Sequence, residues 1–136
     1  MSFDSAMQTA VSGMRAQTMR LRVVAENLAN ADTTSSTPGG DPYRRKTITF
    51  SNEIDRATGA ELVEVKKIGR DPSTFKREYE PSHPSADAEG YVLRPNVQAT
   101  VEILDMQEAQ RSYEANLTML TGARSMLQRT IDLLRS

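Results

Sequence analysis

Hydrophobic positions recur with heptad spacing at both ends of the chain, and the middle follows a different rule. Near the start, Met7, Met14, Leu21 and Leu28 form one row, and Phe3, Ala10, Gln17 and Val24 form a second, offset by three or four. Only Gln17 interrupts the a/d pattern. Such spacing predicts a helix from Ser2 to about Asn30 with a coiled-coil seam, capped at its start by Ser2 or Asp4. Its length would be roughly 40 Å.

The last segment, from about Val97 to Leu134, behaves alike. Ile103, Gln110, Leu117, Arg124 and Ile131 form one row; Met106, Tyr113, Leu120, Leu127 and Leu134 form the other. Pro95 and Asn96 supply an entry signal, and the helix would be roughly 55 Å long. The polar members Gln17, Gln110 and Arg124 read two ways: as residues that set register and partner choice, or as positions facing a neighbouring subunit or water. Two long heptad helices at opposite ends of one short chain predict an antiparallel pair.

Residues 31–96 hold all six prolines and five of the seven glycines. Tyr43–Phe50 and Glu61–Ile68 alternate and are rich in strand formers, with turn signals at Thr58-Gly59 and Gly69. Phe75–Tyr79 and Tyr91–Leu93 are shorter strand candidates, separated by a loop from Glu80 to Gly90. The expected fold is therefore α+β. Long N- and C-terminal helices, 1–30 and 97–136, pair as one antiparallel coiled-coil core domain. A crossover loop and a small β-hairpin-containing insert occupy 31–96.

Composition agrees with elongated helices over a thick core. Apolar residues make up 38% of the chain, with three Phe, four Tyr and no Trp. The net charge of -1 gives no electrostatic case for general nucleic-acid binding. The absence of cysteine excludes disulfides, thiol catalysis and cysteine-based metal centres. No apolar run is long enough to span a membrane, and the first residues lack the features of a cleavable secretory signal.

Candidate chemistry is sparse. Pro38-Gly39-Gly40 followed by Arg44, Arg45 and Lys46 suggests a phosphate cradle, a nucleic-acid arm or a linker. A phosphate loop requires strand, glycine-rich turn, then helix N-terminus. Here a helix C-terminus leads into the loop, and its dipole repels anions. A flexible crossover is the better reading. The three basic residues alternate on a strand, so they point to both faces and form no single cradle; salt bridges to neighbouring subunits are a better reading than phosphate. His83, the one histidine, lies in a loop between Pro81 and Pro84 and has no partners for a zinc site. Glu102 and Asp105 sit at helical spacing and read as a solvated helix face. No catalytic, cofactor or metal residue is assigned.

The helix surfaces say more. Ser5–Met14 and Ala115–Ala123 carry no charge on any side, although a lone two-helix hairpin should have a charged outer face. Gly13 and Gly122 each cost about 1 kcal/mol relative to Ala in a helix interior. Both features favour close contact with further helices, with the two glycines as candidate sites of close packing. A modestly soluble helical hairpin is the plainer alternative.

AENLANADT at the end of the first helix resembles a motif shared by flagellar rod, hook and hook-associated axial proteins. RPNVQATVEILDMQEAQRSYEANLTML resembles their shared C-terminal segment. PYRRKTITF and VKKIGRDPSTFKREYEPSHPSADAEGYVLRPNV narrow the resemblance to C-type proximal rod proteins, over nearly the whole chain. The shared motif falls on Asn27, Leu28, Ala29 and Asn30, and on Asn96, Val97, Gln110, Arg111, Tyr113, Glu114 and Asn116. The family commonly has an acidic residue where this chain has Gln98.

The resemblance implies a structural subunit, not an enzyme, whose paired helices stack helically around an export channel to form a drive-shaft. It implies a rod crossing the periplasm, in the flagellar basal body. The implied partners are other proximal rod proteins, a rod–ring adaptor protein, the membrane-ring protein, the distal rod protein and the flagellar type III export apparatus. Export without a cleaved signal and some self-association would follow. Two rivals come from other classes: a free helical-hairpin adaptor or binding module of the periplasm, and a periplasmic enzyme acting on peptidoglycan.

Overall fold

The computed structural model describes residues 2–136. The chain runs α1 (Phe3–Ala29), β1 (Lys46–Ile54), β2 (Glu61–Arg70), β3 (Lys76–Tyr79), β4 (Tyr91–Arg94) and α2 (Ala99–Arg135). This is an α+β chain in which helices flank two separate two-stranded sheets.

Local chemistry explains where α1 starts and stops. Ser2 is its N-cap. The Ser2 hydroxyl accepts the Ser5 N–H at 3.1 Å, and the Ser5 hydroxyl accepts the Ser2 N–H at 3.0 Å. This is a reciprocal capping box with serine in place of the usual acid. At the other end the Asn30 side chain and backbone N–H both donate to the Glu26 carbonyl, at 2.9 and 3.1 Å. They satisfy a carbonyl that the helix would leave open.

The first hairpin turns through 55–60. Asp55 N–H donates to the Ala60 carbonyl at 2.9 Å, and Gly59 sits at φ 72. At its open end the Asp71 N–H donates to the Arg45 carbonyl at 2.9 Å, so β1 and β2 run antiparallel. The second hairpin pairs Lys76 with Arg94 through Tyr79 with Tyr91, also antiparallel. Its loop is pinned by Asp87, whose Oδ1 accepts the Glu89 and Tyr91 N–H groups, both at 2.9 Å.

The chain divides into two compact units that interleave along the sequence. One comprises the chain up to Leu21, Ile48–Lys67 and Met106–Ser136; the other comprises Arg22–Thr47 and Ile68–Asp105.

In the first unit, α1 and α2 approach in opposite directions. Gly13 lies against Asn116, and Arg20 pairs with Glu108 at 3.4 Å. Seven residues forward along α1 thus match eight back along α2. A different face of α1 meets the first hairpin: the Ser12 hydroxyl accepts the Val63 N–H at 3.1 Å, and Gln8 Oε1 accepts the Thr58 hydroxyl at 3.1 Å. Two covered faces explain why Ser5–Met14 needs no charged side.

Burial along α2 keeps the heptad period but shifts one row. Met106, Tyr113, Leu120 and Leu127 are partly covered as expected. The second covered row is Glu102, Ala109, Asn116 and Ala123, one residue before the predicted Ile103, Gln110, Leu117 and Arg124. Ile103 and Leu117 are 46% and 45% exposed, and Leu134 is 82% exposed. In α1 the buried Ala10 and Val24 lie on a predicted row. Gly13 and Asn27 are buried one residue before Met14 and Leu28, which are only partly covered. The physical reason is the same in both helices. Small or hydrogen-bonding residues occupy the line of closest approach, and their bulkier neighbours flank it. Gln110 and Arg124 are exposed, so they do not interrupt the row within the chain.

Candidate functional site

The second unit holds a polar joint where the end of α1, the start of β1 and the start of α2 converge. Asn27, 1% exposed, is its centre. Its Nδ2 donates to the Lys46 carbonyl at 2.9 Å, and its Oδ1 accepts the Lys46 N–H at 2.9 Å and the Tyr43 hydroxyl at 2.7 Å. Nδ2 also reaches Glu102 Oε2 at 3.5 Å. All four hydrogen-bonding positions of the amide have partners. Asp at this position would lack the donors, and Leu would offer nothing.

Among the described residues Glu102 is the largest fully buried side chain, at 0% exposure. Its Oε1 accepts a hydrogen bond from Arg45 Nε. It lies in the first turn of α2, where the helix dipole favours an acid. The sequence reading of Glu102 as a solvated face is therefore corrected. A side chain 57 residues away in sequence supplies the countercharge that makes burial tolerable.

Arg45 joins three segments. Besides Glu102, its Nη1 meets Asp71 Oδ2 at 3.3 Å, and its backbone N–H donates to Asn96 Oδ1 at 2.7 Å. The Asn96 Nδ2 donates to the Asp71 and Ser73 carbonyls at 3.1 and 3.2 Å. Arg44 donates to the same two carbonyls and lies 4.2 Å over the Phe75 ring. Lys46 pairs with Glu26 at 2.6 Å. Residues 44–46 thus all have partners inside the chain. Of the three only Lys46 lies in β1, so Arg44 and Arg45 are placed by their partners and not by alternation on a strand.

The electrostatics follow this geometry. Hydrogen bonds from the Ser73 backbone and hydroxyl hold the Asp71 carboxyl below its ordinary range, with Arg45 adding to the effect. Burial works against the Arg45 charge, but hydrogen bonding to Glu102 and then Asp71 outweighs it and raises the pKa. Burial raises the Tyr43 phenol, and the charges of Glu26 and Glu102 push it further. Tyr43 is therefore a neutral donor to Asn27 at physiological pH.

The 31–42 segment is more fixed than a flexible crossover. Tyr43 N–H donates to the Thr33 carbonyl at 3.0 Å, and Gly39 N–H donates to the Ser85 carbonyl at 3.1 Å. The buried Ser85 hydroxyl donates to the Ser35 carbonyl. His83 Nδ1 accepts the Ser85 N–H at 3.0 Å, so this histidine shapes its loop.

The other motif residues divide. Leu28 is half-buried and Ala29 is exposed; Val97 is half-buried beside Asn96. Gln110, Arg111 and Glu114 are exposed. Tyr113 lines an apolar groove of about 490 Å³ with Val11, Met14, Met19 and Leu120. Asn116 faces Gly13, whereas Gly122 has nothing within 4 Å. The sequence reading assigned no role to Tyr43 or Asp71 and placed Glu102 on a solvated face. No local pattern signals them, because their partners lie 16, 26 and 57 residues away in sequence.

Among the described residues no cluster of metal-ligating side chains occurs, and no helix is long and apolar enough to cross a membrane. Two long helices tied by a saturated polar joint define a structural, helix-presenting protein. Comparison with known proteins makes this specific. A family model described as flagella basal body rod protein matches residues 7–35. A second, described as flagellar basal body rod FlgEFG protein C-terminal, matches residues 88–133. The flagellar basal-body rod protein FlgC of Agrobacterium fabrum is 50% identical over 133 residues, covering 98% of this chain and 96% of the relative. The FlgC proteins of Salmonella typhimurium and Bacillus subtilis are 41% and 36% identical, covering 91% and 93% of this chain and 92% and 95% of their own.

The chain belongs to the flagellar basal-body rod protein family, and is a structural subunit of the rod. As such it contacts other rod and basal-body proteins.

Proposed function

We propose that the chain builds the proximal rod by pairing α1 and α2 as an antiparallel coiled coil and stacking these pairs helically with other axial proteins around an export channel. The residues assigned to that core are Met7, Met14, Leu21, Val24, Leu28, Met106, Tyr113, Leu120 and Leu127, with Ile103, Leu117, Ile131 and Leu134 turned outward toward neighbouring subunits. The two hairpins face the partners outside it: other proximal rod proteins, the rod–ring adaptor, the membrane ring and the distal rod. The chain reaches the periplasm through the flagellar type III export apparatus without signal cleavage.

One observation carries this reading. On α2, Met119, Met126 and Leu133 share one face at heptad spacing and are 53%, 56% and 75% exposed. A row of large apolar side chains left uncovered along one helix marks a surface that a partner covers. Met126→Glu tests it, because the side chain is 56% exposed and lies outside the residues assigned to the helix pair. The purified variant should have the circular dichroism of the parent. Cells carrying it should lack rods in purified basal bodies. Normal rods and swimming would rule the reading out.

A further inference from the structure

The joint has a property that neither helix has alone. Glu102 takes its hydrogen bonds from Asn27, 75 residues away, and from Arg45, 57 residues away. Neither partner is available from α2 itself. Asn27 in turn is saturated only when Lys46 and Tyr43 are in place. A carboxylate at 0% exposure with no countercharge is strongly unfavourable. The start of α2 therefore has a reason to stay in water until both partners arrive.

We propose that Asn27, Arg45 and Glu102 form a closure lock, in which the end of α1 and the start of α2 become ordered together, and only once the first residues of β1 have docked. Asn27 acts as a surrogate strand that receives Lys46. Docking Lys46 brings the adjacent Arg45 guanidinium to the carboxylate, and Glu102 then closes the end of α2 onto both. The middle segment thus decides whether the two helix ends meet. This is a statement about the single chain, and it stands whether or not the chain assembles around a channel.

Hydrogen exchange of the purified full chain tests it. Asn27→Ala lies on α1 alone. It should speed exchange about tenfold or more in three places at once: residues 22–29, residues 44–47 and residues 99–105. The double variant Asn27→Ala/Glu102→Ala should exchange no faster than the faster of its two single variants, because either loss opens the same lock. Acceleration confined to 22–29, or rates in the double variant that multiply the single effects, would overturn the proposal. Tyr43→Phe covers the case in which Asn27→Ala fails to fold. It removes one hydrogen bond to Asn27 and keeps the ring. It should give a smaller rise, about threefold, again shared by the two helix ends. A rise at one end only would count against the lock.

Discussion

Asn27 holds Lys46 as one strand residue holds another, with its amide donating to the Lys46 carbonyl and accepting the Lys46 N–H, each at 2.9 Å. A helix side chain here takes the place of a neighbouring strand at the point where β1 begins. Asn27→Leu keeps the size and removes every one of these bonds. It should destabilise the chain by about 2–4 kcal/mol, since the part-buried backbone groups of Lys46 and the Tyr43 hydroxyl lose their partners. Urea unfolding of the purified chain measures this. A cost below about 1 kcal/mol would mean that water replaces the amide without penalty.

The ion pair between Arg45 and Glu102 is asymmetric. Arg45 is 23% exposed and has Asp71 as a second partner, while Glu102 is fully buried. Arg45→Met strands a buried carboxylate and should cost about 3–5 kcal/mol. Glu102→Gln removes that charge and leaves Arg45 its contact with Asp71, so it should cost clearly less. Equal losses in denaturant titrations would contradict the assigned burial.

The two helix glycines should respond oppositely. A Cβ at Gly13 would come within 2.7–2.9 Å of the Asn116 amide, whereas one at Gly122 meets nothing within 4 Å. Gly122→Ala should therefore stabilise the isolated chain by up to about 1 kcal/mol through helix propensity. Gly13→Ala should lose that gain to the displaced Asn116. Thermal unfolding of both variants decides it, and matching increases would show that Asn116 moves aside freely.

Acid should unfold the chain through three carboxylates. The backbone of Ser73 lowers the pKa of Asp71, the side chain of Arg94 that of Glu80, and the backbone of Tyr91 that of Asp87. A lowered folded pKa means the unfolded chain binds protons more readily. These groups therefore contribute stability above the unfolded carboxylate range, about pH 4, and lose it as pH falls through their folded values. The urea midpoint should be level near neutrality and drop below about pH 4. Asp87→Asn should weaken the chain at neutral pH and flatten the acid slope. An unchanged slope in that variant would remove Asp87 from the account.

Much of this molecule was legible in one dimension, and the misses are as regular as the successes. The predicted helices and strands lie within a few residues of those observed, because each is specified by local periodicity and by nearby turn and cap residues. In both helices, however, one row of the heptad was read one residue late. Apolar size drew attention to Met14, Leu28, Ile103 and Leu117. The positions beside them are the buried Gly13, Asn27 and Glu102 and the half-buried Asn116, small or polar residues whose value lies in close approach and hydrogen bonding.

By itself, then, the sequence determined the two helices, the strand-bearing middle, the absence of cysteine chemistry and, through its motifs, the family. Only the tertiary structure decided which edge of each heptad stripe turns inward. It also decided that Glu102 is a buried partner of Arg45, and that each residue of the basic run 44–46 has a partner within the chain. The physical reason is range. Periodicity and capping act over a turn or two of helix, whereas the cost of burying a carboxylate depends on residues 57 and 75 positions away.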